Sequence, residues 1–191
     1  MLKIYYDTRT TGCKPWKHSL IRVAGLIEKE GHIVEKFDIW SAPHPKAQID
    51  KGTLELQNMI EEDLLFLPSM EQAHAEFCEI LTKYISKFDK DDKAFLVGYN
   101  NRAFDDIFLR TWFELCGDVY MRSWFWSDTR DVMVLASEHL ENMRTEMSDF
   151  SMKTVAKTLG LKINEDFLLP NALYSCEILR KIYKIVTNPL L

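Results

Sequence analysis

The sequence predicts an α/β domain with a mixed central sheet. Three observations carry that reading. Apolar β-rich runs crowd the first forty residues, helical periodicity takes over near residue 70, and strand-like and helix-like segments alternate from there to the end.

The elements follow in order. Residues 2–6 (LKIYY) form an apolar run ending at Asp7. Residues 20–27 (LIRVAGLI) and 32–40 (HIVEKFDIW) flank Glu30-Gly31, a turn that joins two β-rich runs as a hairpin. Ser69 with Gln72 is a capping box, and Ala73, Phe77, Ile80, Leu81, Tyr84 and Ile85 share one helical face, which predicts a helix of about four turns. Residues 94–98 (AFLVG) are apolar on both faces, as a central strand covered by helices would be. Asp105 to Cys116 reads as a helix, and Trp124 to Trp126 as a further strand. Asp128 is the expected N-cap of a helix through Leu140. Ser151 to Leu159 is a short helix closed by Gly160, and residues 171–186 make the last one.

The 191 residues carry 24 Lys and Arg against 29 Asp and Glu, a net charge of −5, and 47% are hydrophobic. Such a chain buries roughly two-thirds of its unfolded surface, so residues 1–191 are expected to be one domain that folds without a disulfide or metal. Composition excludes disorder and collagen-like repeats. The apolar runs fall well short of the ~20 residues of a membrane helix, and the start of the chain is charged. No membrane association and a cytoplasmic location are therefore expected. Cys13, Cys78, Cys116 and Cys176 form no C-x-x-C pair and have no nearby His at zinc spacing, so neither a disulfide framework nor a zinc site is expected and they read as buried free thiols. The negative charge argues against nonspecific coating of duplex DNA but leaves room for a local basic patch around one strand end.

Acidic and polar residues gather where an open α/β sheet usually holds its ligand, at strand ends and in the turns beyond. The segments are Asp7-Thr8-Arg9-Thr10-Thr11-Gly12, then Gly98-Tyr99-Asn100-Asn101-Arg102-Ala103-Phe104-Asp105-Asp106, then Pro170-Asn171-Ala172-Leu173-Tyr174-Ser175. In this order and spacing they resemble the three motifs of the DEDDh family of 3′-to-5′ exonucleases, which includes the proofreading epsilon subunit of bacterial DNA polymerase III. WSDTRDVMVLA and FSMKTVAKTLGL look like the family's intervening stretches, and VGYNNRAFDD looks like its exonuclease I branch. The resemblance spans about residues 4–186. It implies a ribonuclease H-like fold, a mixed five-stranded sheet flanked by helices. It also implies two divalent ions, Mg or Mn, held by four carboxylates, with a His as general base.

Carried over position by position, that implication breaks. Asp7 and Asp105 match the first and third carboxylates, but Arg9 stands for the expected Glu, Ser175 for the last Asp and Pro170 for the His. Formal charge at the four carboxylate positions is −1 instead of −4. Magnesium favours anionic oxygen ligands, and Arg9 sets a permanent cation where one should be. Metal at Asp7 and Asp105 is therefore expected to be weak or absent. Pro170 has no proton acceptor. Glu177, two residues past Ser175, is turned by about 200° on a helix and should point away. Asp106 reads as an exposed charge at a helix N-terminus. His18, Glu165 and Asp166 lie in flexible-looking stretches from which one could swing inward.

Two roles for Arg9 stay open and are compatible. Its guanidinium could lie between Asp7 and Asp105 as an ion pair replacing metals, with Arg102 as another partner for Asp7, or it could meet a nucleic-acid phosphate. The resemblance makes Thr8, Thr10, Thr11, Gly12, Asn100, Asn101 and Phe104 candidate nucleic-acid contacts. Trp16, Tyr99, Trp112, Trp124, Phe125 and Trp126 include core residues and candidate stacking platforms. Lys14, Lys17, Lys153 and Lys157 are candidates for phosphate contacts. The leading expectation is a degenerate exonuclease-fold protein that binds single-stranded DNA or RNA 3′ ends or a partner such as a polymerase. The alternative is an active metal-dependent 3′-to-5′ exonuclease with an altered ligand set.

Overall fold

The computed structural model describes residues 1–188. Five strands are β1 (Leu2–Thr10), β2 (Leu20–Lys29), β3 (His32–Trp40), β4 (Ala94–Gly98) and β5 (Arg130–Asp131). They form one mixed sheet in the order β3-β2-β1-β4-β5. The first three run antiparallel, while β4 lies parallel to both β1 and β5. The β2–β3 hairpin closes as expected at Glu30 and Gly31, both with positive φ, the primed-turn geometry that matches strand twist.

Helices are α1 (Lys51–Glu55), α2 (Met70–Thr82), α3 (Asp105–Leu115), α4 (Val132–His139), α5 (Met152–Thr158), α6 (Glu165–Leu168) and α7 (Ala172–Thr187). Alternation along β1 sends Ile4 and Tyr6 to one face of the sheet and Tyr5 to the other. The first face packs on α2 and α3 through Phe77, Trp112 and Phe113. The second packs on α4, α5 and α7 through Ala136, Val155, Ile178 and Ile182. The capping box forms, with Ser69 Oγ accepting from the Gln72 N–H and Gln72 Oε1 from the Ser69 N–H.

Four expectations need correction. β1 continues past Asp7 to Thr10, because its pairing with β2 runs on through Arg9 opposite Arg22. Trp124–Trp126 is no strand of its own; Phe125 makes one isolated parallel bridge to Ala94. The fifth strand comes later, where Arg130 and Asp131 pair with Val97 and Gly98. That pairing holds the chain extended, so α4 begins three residues later than expected and Asp131, not Asp128, caps it by accepting from the Met133 N–H. The cysteines are also not uniformly buried: Cys13 is exposed, Cys78 and Cys116 are half-buried, and Cys176 is buried. Among the described residues, no helix is long and apolar enough to cross a membrane.

Candidate functional site

The three sequence segments meet at one end of the sheet. Asp7 and Arg9 are two apart on β1 and so project from the same face. Asp105 opens α3, and Ser175 lies in the first turn of α7.

Arg9 is the centre of the bonding. Its Nη1 donates to Asp7 Oδ2 at 2.6 Å and to the Thr8 carbonyl at 3.1 Å. Nη2 donates to the Leu168 carbonyl at 3.2 Å and to Ser175 Oγ at 3.3 Å, and Nε donates to the Leu169 carbonyl at 2.8 Å. A guanidinium has five N–H donors, and all five are engaged within the protein. Ser175 Oγ in turn donates to the Leu168 carbonyl. The expected placement of the guanidinium between Asp7 and Asp105 holds at Asp7 but not at Asp105, whose bonded partner is Thr8. The Thr8 N–H and Oγ1 both donate to Asp105 Oδ1, at 3.0 and 2.6 Å. Arg102 is exposed, and the bonded partner of Asp7 is Arg9.

Asp105 is only 6% exposed. Burial drives its carboxyl well above the ordinary carboxylate range, the Asp7 charge pushes the same way, and the Thr8 donors and Arg9 oppose them. Asp106 is not the exposed helix-end charge expected. It is half-buried under the sheet, accepts from Tyr6 Oη and from Asn101 Nδ2, and is raised by burial. Asn101 is fully buried and also donates to Thr129 Oγ1. Gly98 makes room for it, since a Cβ there would come within 2.4 Å of the Asn101 Cβ.

The remaining candidates form the frame. Thr10 Oγ1 donates to the Gly12 carbonyl, and Thr11 Oγ1 donates to the Gln48 carbonyl and accepts from the Ser19 N–H. Gly12 lies against the His18 ring, 2.6 Å from where its Cβ would be. Asn100 is exposed in a left-handed conformation, its N–H donating to Asp131. Phe104 packs its ring 4.9 Å from Phe108. Glu177 points away as expected and pairs with Lys36, while Glu165 pairs with Lys153 and Lys157. Of the aromatic candidates, Trp112, Trp124 and Phe125 are core, whereas Trp16 is 76% exposed.

Sequence reading missed Arg22. It donates to both oxygens of Asp38 at 2.6 Å, to the Pro170 carbonyl at 2.9 Å, and stacks on Trp40 at 4.3 Å. The signal was present, an arginine inside the otherwise apolar run 20–27. Pro170 thus contributes a carbonyl to the site, and segment 168–170 is held by two arginines. The described bonds engage Asp7 through Oδ2 and Asp105 through Oδ1. Oδ1 of Asp7 and Oδ2 of Asp105 are the oxygens through which the pair could meet a cation.

The exonuclease family model (RNase T) matches residues 4–183. The chain belongs to the exonuclease family. The chain is 25% identical over 162 residues to the PolC-type DNA polymerase III of Staphylococcus haemolyticus, covering 85% of this chain and 10% of that protein. The PolC-type enzyme of Staphylococcus aureus is 23% identical over 180 residues, covering 94% of the chain and 11% of the polymerase. Among solved structures, E. coli exonuclease I with a dA16 oligonucleotide superposes with a TM-score of 0.74 at 16% identity, covering 98% of this chain and 41% of that one. The zinc-bound form of the same enzyme with single-stranded DNA gives 0.76 at 14% identity, covering 99% and 41%. The ribonuclease H-like sheet expected from the motifs is therefore borne out. The chain spans about a tenth of the polymerases and two fifths of exonuclease I.

Proposed function

We propose that this exonuclease-family chain has exchanged hydrolysis for binding, and that the sheet end at Asp7 and Asp105 receives the 3′ end of a single-stranded nucleic acid with little or no cleavage. The supporting observation is the saturation of Arg9, whose five donors hold Asp7, Ser175 and segment 168–170 together. A cation at Asp7 would have to share that carboxylate with a guanidinium at 2.6 Å. Ser175 brings a hydroxyl instead of an anion, so the donor set fits at most one weak Mg or Mn ion. No hydrolytic step is routed through such an ion. The proton acceptor expected before α7 is missing, since Pro170 offers only a carbonyl that Arg22 already occupies.

In this reading buried Thr8, Thr10, Thr11, Gly12 and Asn101 support the site from within, and Asn100 and Phe104 lie nearer its surface. Trp16, Lys14 and Lys17 are exposed on the β1–β2 connection beside it, where a ring for stacking and two cations suit a single strand. The relatives suggest a replication setting, with a polymerase as the protein partner. Fluorescence anisotropy with labelled single strands of DNA and RNA tests binding, and product analysis in Mn tests cleavage. We expect binding with no shortening; robust Mn-dependent trimming from the 3′ end by the pure protein would return the chain to the active enzymes. Retention of Asp7 and Asp105 is what favours that second reading.

A further inference from the structure

Away from Asp7 and Asp105, α2 and the turn after α3 bring together three side chains of different donor chemistry. His74 and Cys78 are four apart on α2, one above the other on a single helix face. Asp118 joins them because α3 ends in a Schellman motif. Gly117, at φ 77°, donates to the Glu114 carbonyl and the Asp118 N–H donates to the Phe113 carbonyl, which turns the chain back toward α2.

The distances approach those of a coordination shell. His74 Nε2 lies 3.6 Å from Cys78 Sγ and 3.8 Å from Asp118 Oδ2, and all three donors lie within 4.8 Å of one another. Tetrahedral zinc, with bonds of about 2.0 Å to nitrogen and about 2.3 Å to sulfur, needs an N···S edge of about 3.6 Å and an N···O edge of about 3.4 Å. His74 and Asp118 side chains are each 12% exposed, which leaves the group accessible yet mostly shielded. Its surroundings already orient it. The His74 ring is wedged edge-on against Trp112 and Phe113, and Asp118 Oδ1 accepts from the Tyr120 N–H, leaving Oδ2 turned to the histidine. A cation is already favoured here, for the Lys87 ammonium sits 3.0 Å from that same Oδ2.

We propose that His74, Cys78 and Asp118 form a site for a thiophilic divalent ion, zinc by its nitrogen, sulfur and oxygen donors, which ties α2 to the end of α3. Thiolate and imidazole together select zinc over magnesium. The site is separate from Asp7 and Asp105 and does not depend on whether those residues support catalysis. Sequence reading expected no zinc site because it found no nearby His at zinc spacing; it overlooked His74, four residues before Cys78, and Asp118 joins the pair only in the fold. The Lys87 ammonium and the metal are alternatives for Asp118, so zinc displaces the lysine toward solvent.

Cobalt titration of the full chain, freed of metal by a chelator, tests this. We expect one cobalt per chain with the charge-transfer absorption of a thiolate ligand, abolished by zinc competition. Cys78→Ser should lose the band and weaken zinc by more than about 100-fold, since even residues that only orient metal ligands are worth 10–100-fold. Lys87→Met should bind more tightly, a gain that a misfolded variant would not give, while Cys13→Ser should leave the thiolate band unchanged. Zinc should raise the melting temperature of the wild type and not of Cys78→Ser. A missing thiolate band, a band that survives Cys78→Ser and so belongs to the exposed Cys13, or an affinity unmoved by Lys87→Met would overturn the proposal.

Discussion

Arg9 and Arg22 stand directly opposite one another on β1 and β2, and their guanidinium groups converge on the carbonyls of Leu168, Leu169 and Pro170. Two like charges are tolerated at neighbouring positions because each has its own carboxylate, Asp7 for Arg9 and Asp38 for Arg22. The result is a staple across the entrance to α7, the part of the exonuclease fold from which the sequence motif expects a catalytic histidine.

We predict that Arg9→Ala lowers stability by about 2–4 kcal/mol, a partly buried pair lost together with three carbonyl bonds. Oligonucleotide affinity and its salt dependence should change little, since no Arg9 donor is left for a phosphate. Urea melts and anisotropy at several salt concentrations measure both. An unchanged melt with a salt slope smaller by about one ion would instead make Arg9 a phosphate ligand.

Arg22→Lys should cost about 1–2 kcal/mol although the charge is kept, because an ammonium cannot be bidentate to Asp38 and reach the Pro170 carbonyl as well. Chemical denaturation decides it. Wild-type stability in this variant would mean that the fork geometry at Pro170 contributes nothing.

Arg9→Glu, Pro170→His and Ser175→Asp together should build a metal site at the expense of the staple. We predict a lower melting temperature than the wild type in chelator, and a marked rise with Mn that the wild type does not share. Measurable trimming of a labelled single strand should follow. If Mn neither stabilises the triple variant nor supports cleavage, the missing ligands are not what separates this cleft from an active one.

The raised carboxyl of Asp105 gives a pH dependence in metal-free buffer. Its native value lies above its unfolded value, so its contribution to stability is fully present below the ordinary carboxylate range, about pH 4, and is lost as pH rises through the native value. Asp7→Asn removes the like charge and should flatten the decline, although burial, the larger cause, remains. Denaturation from about pH 4 to about pH 8 in both proteins tests it. Identical pH profiles would show that Asp7 and Asp105 do not sense each other.

Local chemistry made much of this protein legible in the sequence. The Glu30-Gly31 turn, the Ser69–Gln72 capping box and the doubly apolar strand at 94–98 each depend on neighbours in the chain, and each formed where expected. The ordered motifs also named Asp7, Arg9, Asp105 and Ser175, which the fold brings to one end of the sheet. What depends on distant partners was decided only by the tertiary structure. Parallel pairing with β4 moved the fifth strand to Arg130–Asp131, and the position of α3 beneath the sheet turned Asp106 toward Tyr6 instead of solvent. The choice between Asp7 and Asp105 as the partner of Arg9 likewise required the geometry of segment 168–170, whose carbonyls draw the guanidinium away from Asp105. A sequence records which donors and acceptors a chain owns, but their pairing is set by which of them the packed sheet and helices leave within bonding distance.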